Sequence, residues 1–114
     1  MSPVRADQIT NIRLPLPEIA EFCDRWSVAE FALFGSVLRD DFRSDSDIDV
    51  LVDLDRERHH TLIDLVDMQA DLEVIFGRKV DIVTRRGIEH SLNYLRRDSI
   101  LSSAVLVYRL ERAA

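Results

Sequence analysis

"DIDVLVDL" spans residues 47–54 and is the clearest strand in the chain. Successive residues of a strand face opposite sides, so Ile48, Val50, Val52 and Leu54 share one face. Asp47, Asp49, Leu51 and Asp53 share the other. The first face suits a core; the second opens with two aspartates whose Cα atoms stand about 6.5–7 Å apart.

The neighbouring segments supply the rest of a sheet. Upstream, "AEFALF" (29–34) alternates well enough for a short strand that ends at Gly35. Before it, "LPEIAEFCDRWS" (16–27) places Leu16, Ile19, Ala20, Cys23 and Trp26 on one helical face, with Pro17 suited to the first turn. Downstream, Thr61 caps a helix with Asp64 in capping-box position, and Gly77 ends it. Between them Leu62, Leu65, Val66, Leu72, Ile75 and Phe76 keep helical spacing. "KVDIVT" (79–84) is a third strand, with Val80 and Ile82 on one face and Asp81 on the other. The stretch 86–103 reads as one or two short helices, and "AVLVYRL" (104–110) as a last strand.

This order predicts an α/β (α+β) fold with a small mixed sheet flanked by helices. Strands joined by a short loop pair antiparallel, whereas a helix-sized connection favours a right-handed parallel crossover. That layout brings the end of the first strand (Gly35, Ser36) to the start of the second (Asp47, Asp49). The start of the third strand, with Asp81, falls at the same end.

Composition narrows the class. A chain of 114 residues, 46% hydrophobic and 32% charged, is expected to form a single domain over 1–114, with 1–12 as a loose N-terminal lead-in. No apolar run is long enough to span a membrane, no leader with a cleavage site opens the chain, and one cysteine cannot close an internal disulfide. A cytoplasmic location follows. The net charge of −6 argues against direct nucleic-acid binding, which needs a basic surface. It suits docking on a basic protein partner.

The carboxylates have a chemical reading. Ionised aspartates brought this close raise each other's pKa unless a cation compensates. Mg²⁺ takes oxygen ligands and leaves positions for phosphates, and two such ions form the clamp used for in-line displacement at phosphorus. Gly35 allows a turn close to a phosphate, and Ser36 opens a short helix through "VLRDD" whose N–H groups favour an anion. Arg39, one turn on, can reach the same phosphates. Ser46 either adds a hydroxyl or shapes the turn before Asp47. His59 and His60 read as solvated, and Trp26 and Phe76 as core.

Gly35-Ser36, ten intervening residues and Asp47-Ile48-Asp49 together resemble the nucleotidyltransferase motif of the DNA polymerase β-like superfamily. "KVDIVT" resembles the strand of that family that carries the third carboxylate. The chain is similar to the minimal nucleotidyltransferases (MNT), many of which act as antitoxins beside a HEPN-domain toxin. The resemblance implies a polymerase β-like nucleotidyltransferase fold. It implies ATP as donor, two Mg²⁺ ions, and transfer of AMP to a tyrosine of a cognate HEPN ribonuclease. Carried over, Gly35 and Ser36 bind the ATP phosphates, Asp47 and Asp49 hold both metals, and Asp81 completes the site for the metal that activates the acceptor. Arg39 is a less direct transfer. The other readings are a partner that neutralises a toxin by occlusion, or transfer to a small molecule.

Overall fold

A computed structural model describes residues 9–110. The elements run α1 (Leu16–Trp26), β1 (Val28–Phe34), a 3₁₀ turn (Gly35–Leu38) and β2 (Ile48–Leu54). They continue with α2 (Leu62–Phe76), β3 (Val80–Thr84), α3 (Arg85–Glu89), α4 (Tyr94–Ser103) and β4 (Val105–Arg109). The four strands form one sheet in the order β3-β2-β1-β4. β1 pairs antiparallel with β2 and with β4, and β2 pairs parallel with β3 across the α2 connection. The mixed sheet flanked by helices is the expected fold class.

The ends of α2 form as local chemistry dictates. Thr61 Oγ1 accepts from the Asp64 N–H at 3.1 Å, and Asp64 Oδ2 accepts from the Thr61 N–H at 3.0 Å. Gly77 closes the helix in the left-handed region at φ 69°, donating its N–H to the Glu73 carbonyl.

The two sheet faces are covered differently. Ile48, Val50 and Val52 pack with Phe22, Phe31, Leu33, Met68 and Leu72 in the main core, under α1 and α2. On the opposite face Ala32, Phe34 and Leu51 meet Ile88 of α3 and Ile100 of α4 in a smaller cluster. That second cluster reaches the strand end where the aspartates lie through Phe34, the partner of Asp49.

Several expectations are corrected. Leu62 and Val66 are 78% and 63% exposed, and with Ile63 and Val74 they leave an apolar stripe on the outside of α2. Leu72, from the expected set, fills the core-facing side together with Met68, a direction about 120° around the helix from that of Leu62 and Val66 at 100° per residue. His60 is half-buried, with Nε2 2.6 Å from the Trp26 carbonyl and Nδ1 3.1 Å from that of Arg58, and is not a freely solvated ring. Trp26 and Phe76 are half-buried at the edge of the core.

Of the expected lead-in, residues 1–8 lie outside the described residues. Residues 9–12 are held in place. Ile9 is buried in the core, and Asn11 Nδ2 donates to the carbonyls of Val37 and Arg39 at 2.6 and 2.7 Å.

Candidate active site

The strand register gathers the acidic residues. Asp49 of β2 stands opposite Phe34, the last residue of β1, and opposite Asp81 of β3. Asp47 directly precedes β2. Gly35, Ser36, Asp47, Asp49 and Asp81, which lie in three separate stretches of sequence, therefore meet at one sheet end.

Gly35 is fitted to its place. Its φ of +76° lies in the left-handed region, and the chain turns there from β1 into the 3₁₀ turn directly against Asp49. A Cβ at this position would overlap Asp49 Oδ2 and lie 3.1 Å from Asp49 Cγ. Only glycine leaves that carboxylate its position. The short helix expected through residue 41 is a 3₁₀ turn ending at Leu38, closed by the Arg39 N–H donating to the Ser36 carbonyl at 2.9 Å. The Ser36 hydroxyl makes a long contact of 3.5 Å to the Asp47 carbonyl.

The loop before Asp47 is braced by a residue whose role the sequence does not advertise. Arg78 Nη1 donates to the carbonyls of Arg43 and Ser46 at 3.2 and 3.1 Å, and its guanidinium lies 4.9 Å from the centroid of the Phe42 ring. Ser46 shapes the turn, its hydroxyl accepting from the Arg43 N–H at 2.9 Å. Asp47 thus enters β2 from a loop fixed at its last residue.

Burial and like charge act on Asp49. Its pKa is raised, first by partial burial, then by the neighbouring charges of Asp81 and Asp47, while Arg39 and Arg96 pull it back down. Arg39 is exposed and its Nε is paired with Asp41 Oδ1 at 3.2 Å. Arg96 comes from α4 and was not among the sequence candidates. Its approach depends on α4 folding back over the sheet, which no local pattern announces. Asp53, on the same face as Asp49, stands apart from the site, with Arg85 and Glu30 as its charged neighbours.

Among the described residues, none of the three carboxylates makes a hydrogen bond or an ion pair. Unpaired carboxylates held together are unfavourable unless a cation joins them. No three acidic, histidine or cysteine side chains among the described residues are drawn together enough to cage an ion alone. The donor set nonetheless fits a magnesium-type ion, which takes one or two carboxylates and completes its shell with waters and substrate phosphates. It does not fit an ion that needs a full protein cage.

A small mixed sheet with unpaired carboxylates at one strand end, set against a glycine turn, is the frame of an enzyme that transfers phosphate-bearing groups. The chain belongs to the nucleotidyltransferase domain family, which it matches over residues 17–107, and it is a nucleotidyltransferase. It is 32% identical over 72 residues to the protein adenylyltransferase MntA of Thermococcus cleftensis, covering 63% of this chain and 71% of that one. A solved structure described as a candidate minimal nucleotidyltransferase superposes with a TM-score of 0.61 at 35% identity, over 78% of this chain and 85% of that one. The crystal structure of a toxin–antitoxin with AMP-PNP matches in fold, with a TM-score of 0.66 at 18% identity over 86% and 76% of the two chains.

Proposed function

We propose that this chain is an antitoxin that transfers AMP from ATP to a tyrosine of a cognate HEPN-domain toxin, with Mg²⁺ bound by Asp47, Asp49 and Asp81. The observation that carries the reading is the facing pair Asp49 and Asp81, joined by Asp47, all unpaired and set against Gly35. Support for the acceptor class comes from the relative named a protein adenylyltransferase and the toxin–antitoxin structures that share the fold.

Bound Mg²⁺ supplies charge neutralisation at the phosphates and acidifies the acceptor hydroxyl. The chain's own residues position the reactants. Gly35 gives the phosphates close access to backbone, and Ser36 offers a hydroxyl beside Asp47. Arg78 and Ser46 hold the loop that delivers Asp47. The tyrosine oxygen bonds to the α-phosphorus, and the bond from that phosphorus to the bridging oxygen breaks. The electron pair leaves with pyrophosphate. Asp81, exposed at the start of β3, takes the phenolic proton and passes it to water. A phenol has a pKa near 10, so the reaction depends on lowering that value at the site.

The test is intact-mass spectrometry of the HEPN-domain protein encoded beside this chain, incubated with the chain, ATP and Mg²⁺. An AMP-sized gain that disappears with Asp47→Asn/Asp49→Asn is the expected result. Tight binding of the toxin by both versions, with no mass gain from any nucleoside triphosphate, would replace catalysis by occlusion.

A further inference from the structure

The outside of α2 carries an apolar row that no other described element covers. Leu62, Val66 and Val74 are 78%, 63% and 83% exposed, and Ile63 beside them is 73% exposed. Ala70 is exposed as well, so residues 62, 66, 70 and 74 recur every four positions and line one ridge. At 1.5 Å per residue that ridge is about 18 Å long. Single exposed apolar residues are ordinary, but a contiguous row of them with a polar rim marks a surface that another molecule covers. The ridge stands away from the carboxylates. Helices α1 and α2 cover the Ile48, Val50 and Val52 face of the sheet, whereas Asp49 shares its face with Leu51. An occupant of the ridge therefore leaves the nucleotide site open.

Charge decides what fits there. α2 carries Asp64, Asp67, Asp71 and Glu73 and no basic residue. Asp67 is exposed, and among the described residues it makes no hydrogen bond or ion pair. The Val74 end of the ridge opens into a groove of about 210 Å³ between α1 and α2, where Val74 and Phe22 stand among Glu18, Glu21, Asp71 and Arg25. Arg25 is already held between Glu21 and Asp71, at 3.0 and 3.3 Å. Glu18 is exposed and has no partner among the described residues. The groove thus sets uncompensated negative charge beside apolar surface.

A second copy of the chain laid on this surface would set acid against acid, and like charges across an interface work against binding. A helix with apolar residues every three or four positions and lysines or arginines on its flanks meets both demands. Its apolar face covers the ridge, and its cations pair with Asp67 and Glu18 while their aliphatic stems lie along Val74 and Phe22. We propose that the outer ridge of α2 and the adjoining α1–α2 groove are a docking surface for a basic amphipathic helix of a partner protein. The proposal is independent of the catalytic reading, because the ridge and the carboxylates belong to opposite sides of the sheet.

The test is an NMR titration of the chain, at physiological salt, with two synthetic helical peptides that share a leucine face. One is flanked by lysine and arginine, the other by glutamate. The basic peptide should shift the methyl signals of Leu62, Ile63, Val66 and Val74 and bind about tenfold more tightly than the acidic one. Val66→Asp and the double variant Glu18→Lys/Asp67→Lys should each weaken the basic peptide by about tenfold, with an unchanged melting temperature. The double variant should also bind the acidic peptide more tightly than wild type does, which damage to the fold would not produce. Equal binding of the two peptides, shifts confined to other parts of the chain, or no binding of the basic peptide would overturn the inference. So would a dimer in sedimentation equilibrium that Val66→Asp dissolves, since a second copy would then occupy the ridge.

Discussion

Two glycines of this chain share a backbone conformation and differ in what stands beside them, which makes a matched pair of substitutions informative. Gly35 has φ +76° and Gly77 has φ +69°, so alanine at either position enters the left-handed region. That conformation costs about 1–2 kcal/mol for a residue with a Cβ. Gly77 has nothing within 4 Å of an added Cβ, and Gly77→Ala should cost that amount and nothing more. At roughly 4–8 °C per kcal/mol for a small domain, its Tm should fall by about 5–15 °C. Affinity for an ATP analogue with Mg²⁺ should be preserved. Gly35→Ala carries the same backbone cost, and its Cβ also displaces the Asp49 carboxylate, which is held on a short side chain from the middle of the sheet. A misplacement of about 1 Å in a catalytic group costs on the order of 100-fold in rate. Thermal melting, paired with calorimetry and the AMP-transfer rate, separates the two effects. The reasoning is refuted if Gly35→Ala retains wild-type nucleotide affinity and rate, or if Gly77→Ala loses them.

Asp49→Asn should bind Mg²⁺–nucleotide far more weakly yet melt at or above the wild-type temperature at pH 7. Asp49 has a folded pKa above its ordinary 3.8, so ionising it disfavours the folded state. The relative stability of wild type is therefore lost as pH rises through the folded value, and the gap to Asp49→Asn should close in melts below about pH 4. A wild type that stays the more stable at pH 7 would contradict this. Arg78→Ala removes both donations to the 43–46 loop and its stacking on Phe42, and should cost about 1–2 kcal/mol. Its nucleotide affinity should fall as well, which Arg78→Lys should restore only in part; unchanged affinity in a calorimeter would show that the loop does not need the brace. Thr61→Ala breaks the capping box of α2 and should lower stability by about 1 kcal/mol in denaturant titration, with AMP transfer unchanged. Cys23 is buried and its thiol is pushed up to about 12, so a thiol reagent at pH 8 should label it only after unfolding; rapid labelling of the native chain would place it nearer solvent.

Much of this architecture follows from short-range rules. The alternation of "DIDVLVDL" fixed which side of β2 enters the core, since a one-residue slip would bury the aspartates and expose Ile48, Val50 and Val52. Thr61, Asp64 and Gly77 bounded α2 because a cap is satisfied by groups three or four residues away. A short connection between β1 and β2 and a helical one between β2 and β3 fixed one antiparallel and one parallel pairing. Those pairings were enough to bring Gly35, Asp47, Asp49 and Asp81 to one end.

What the sequence left open depends on segments that meet only after the chain has folded. The charge of Arg96 is visible in "YLRRD", but its pull on Asp49 requires Ile100 to seat α4 on Phe34 and Leu51, and no local periodicity encodes that contact. Arg78 looks like an ordinary cation before a strand until its guanidinium reaches carbonyls 32 and 35 residues earlier. Apolar spacing in α2 named a helix without saying that Leu62 and Val66 face outward, because its apolar residues lie on more than one side and the sheet chooses among them. Strand polarity and caps are decided within a few residues by backbone geometry. The placement of charges around the carboxylates is decided by which distant apolar surfaces find each other, and it exists only in the folded chain.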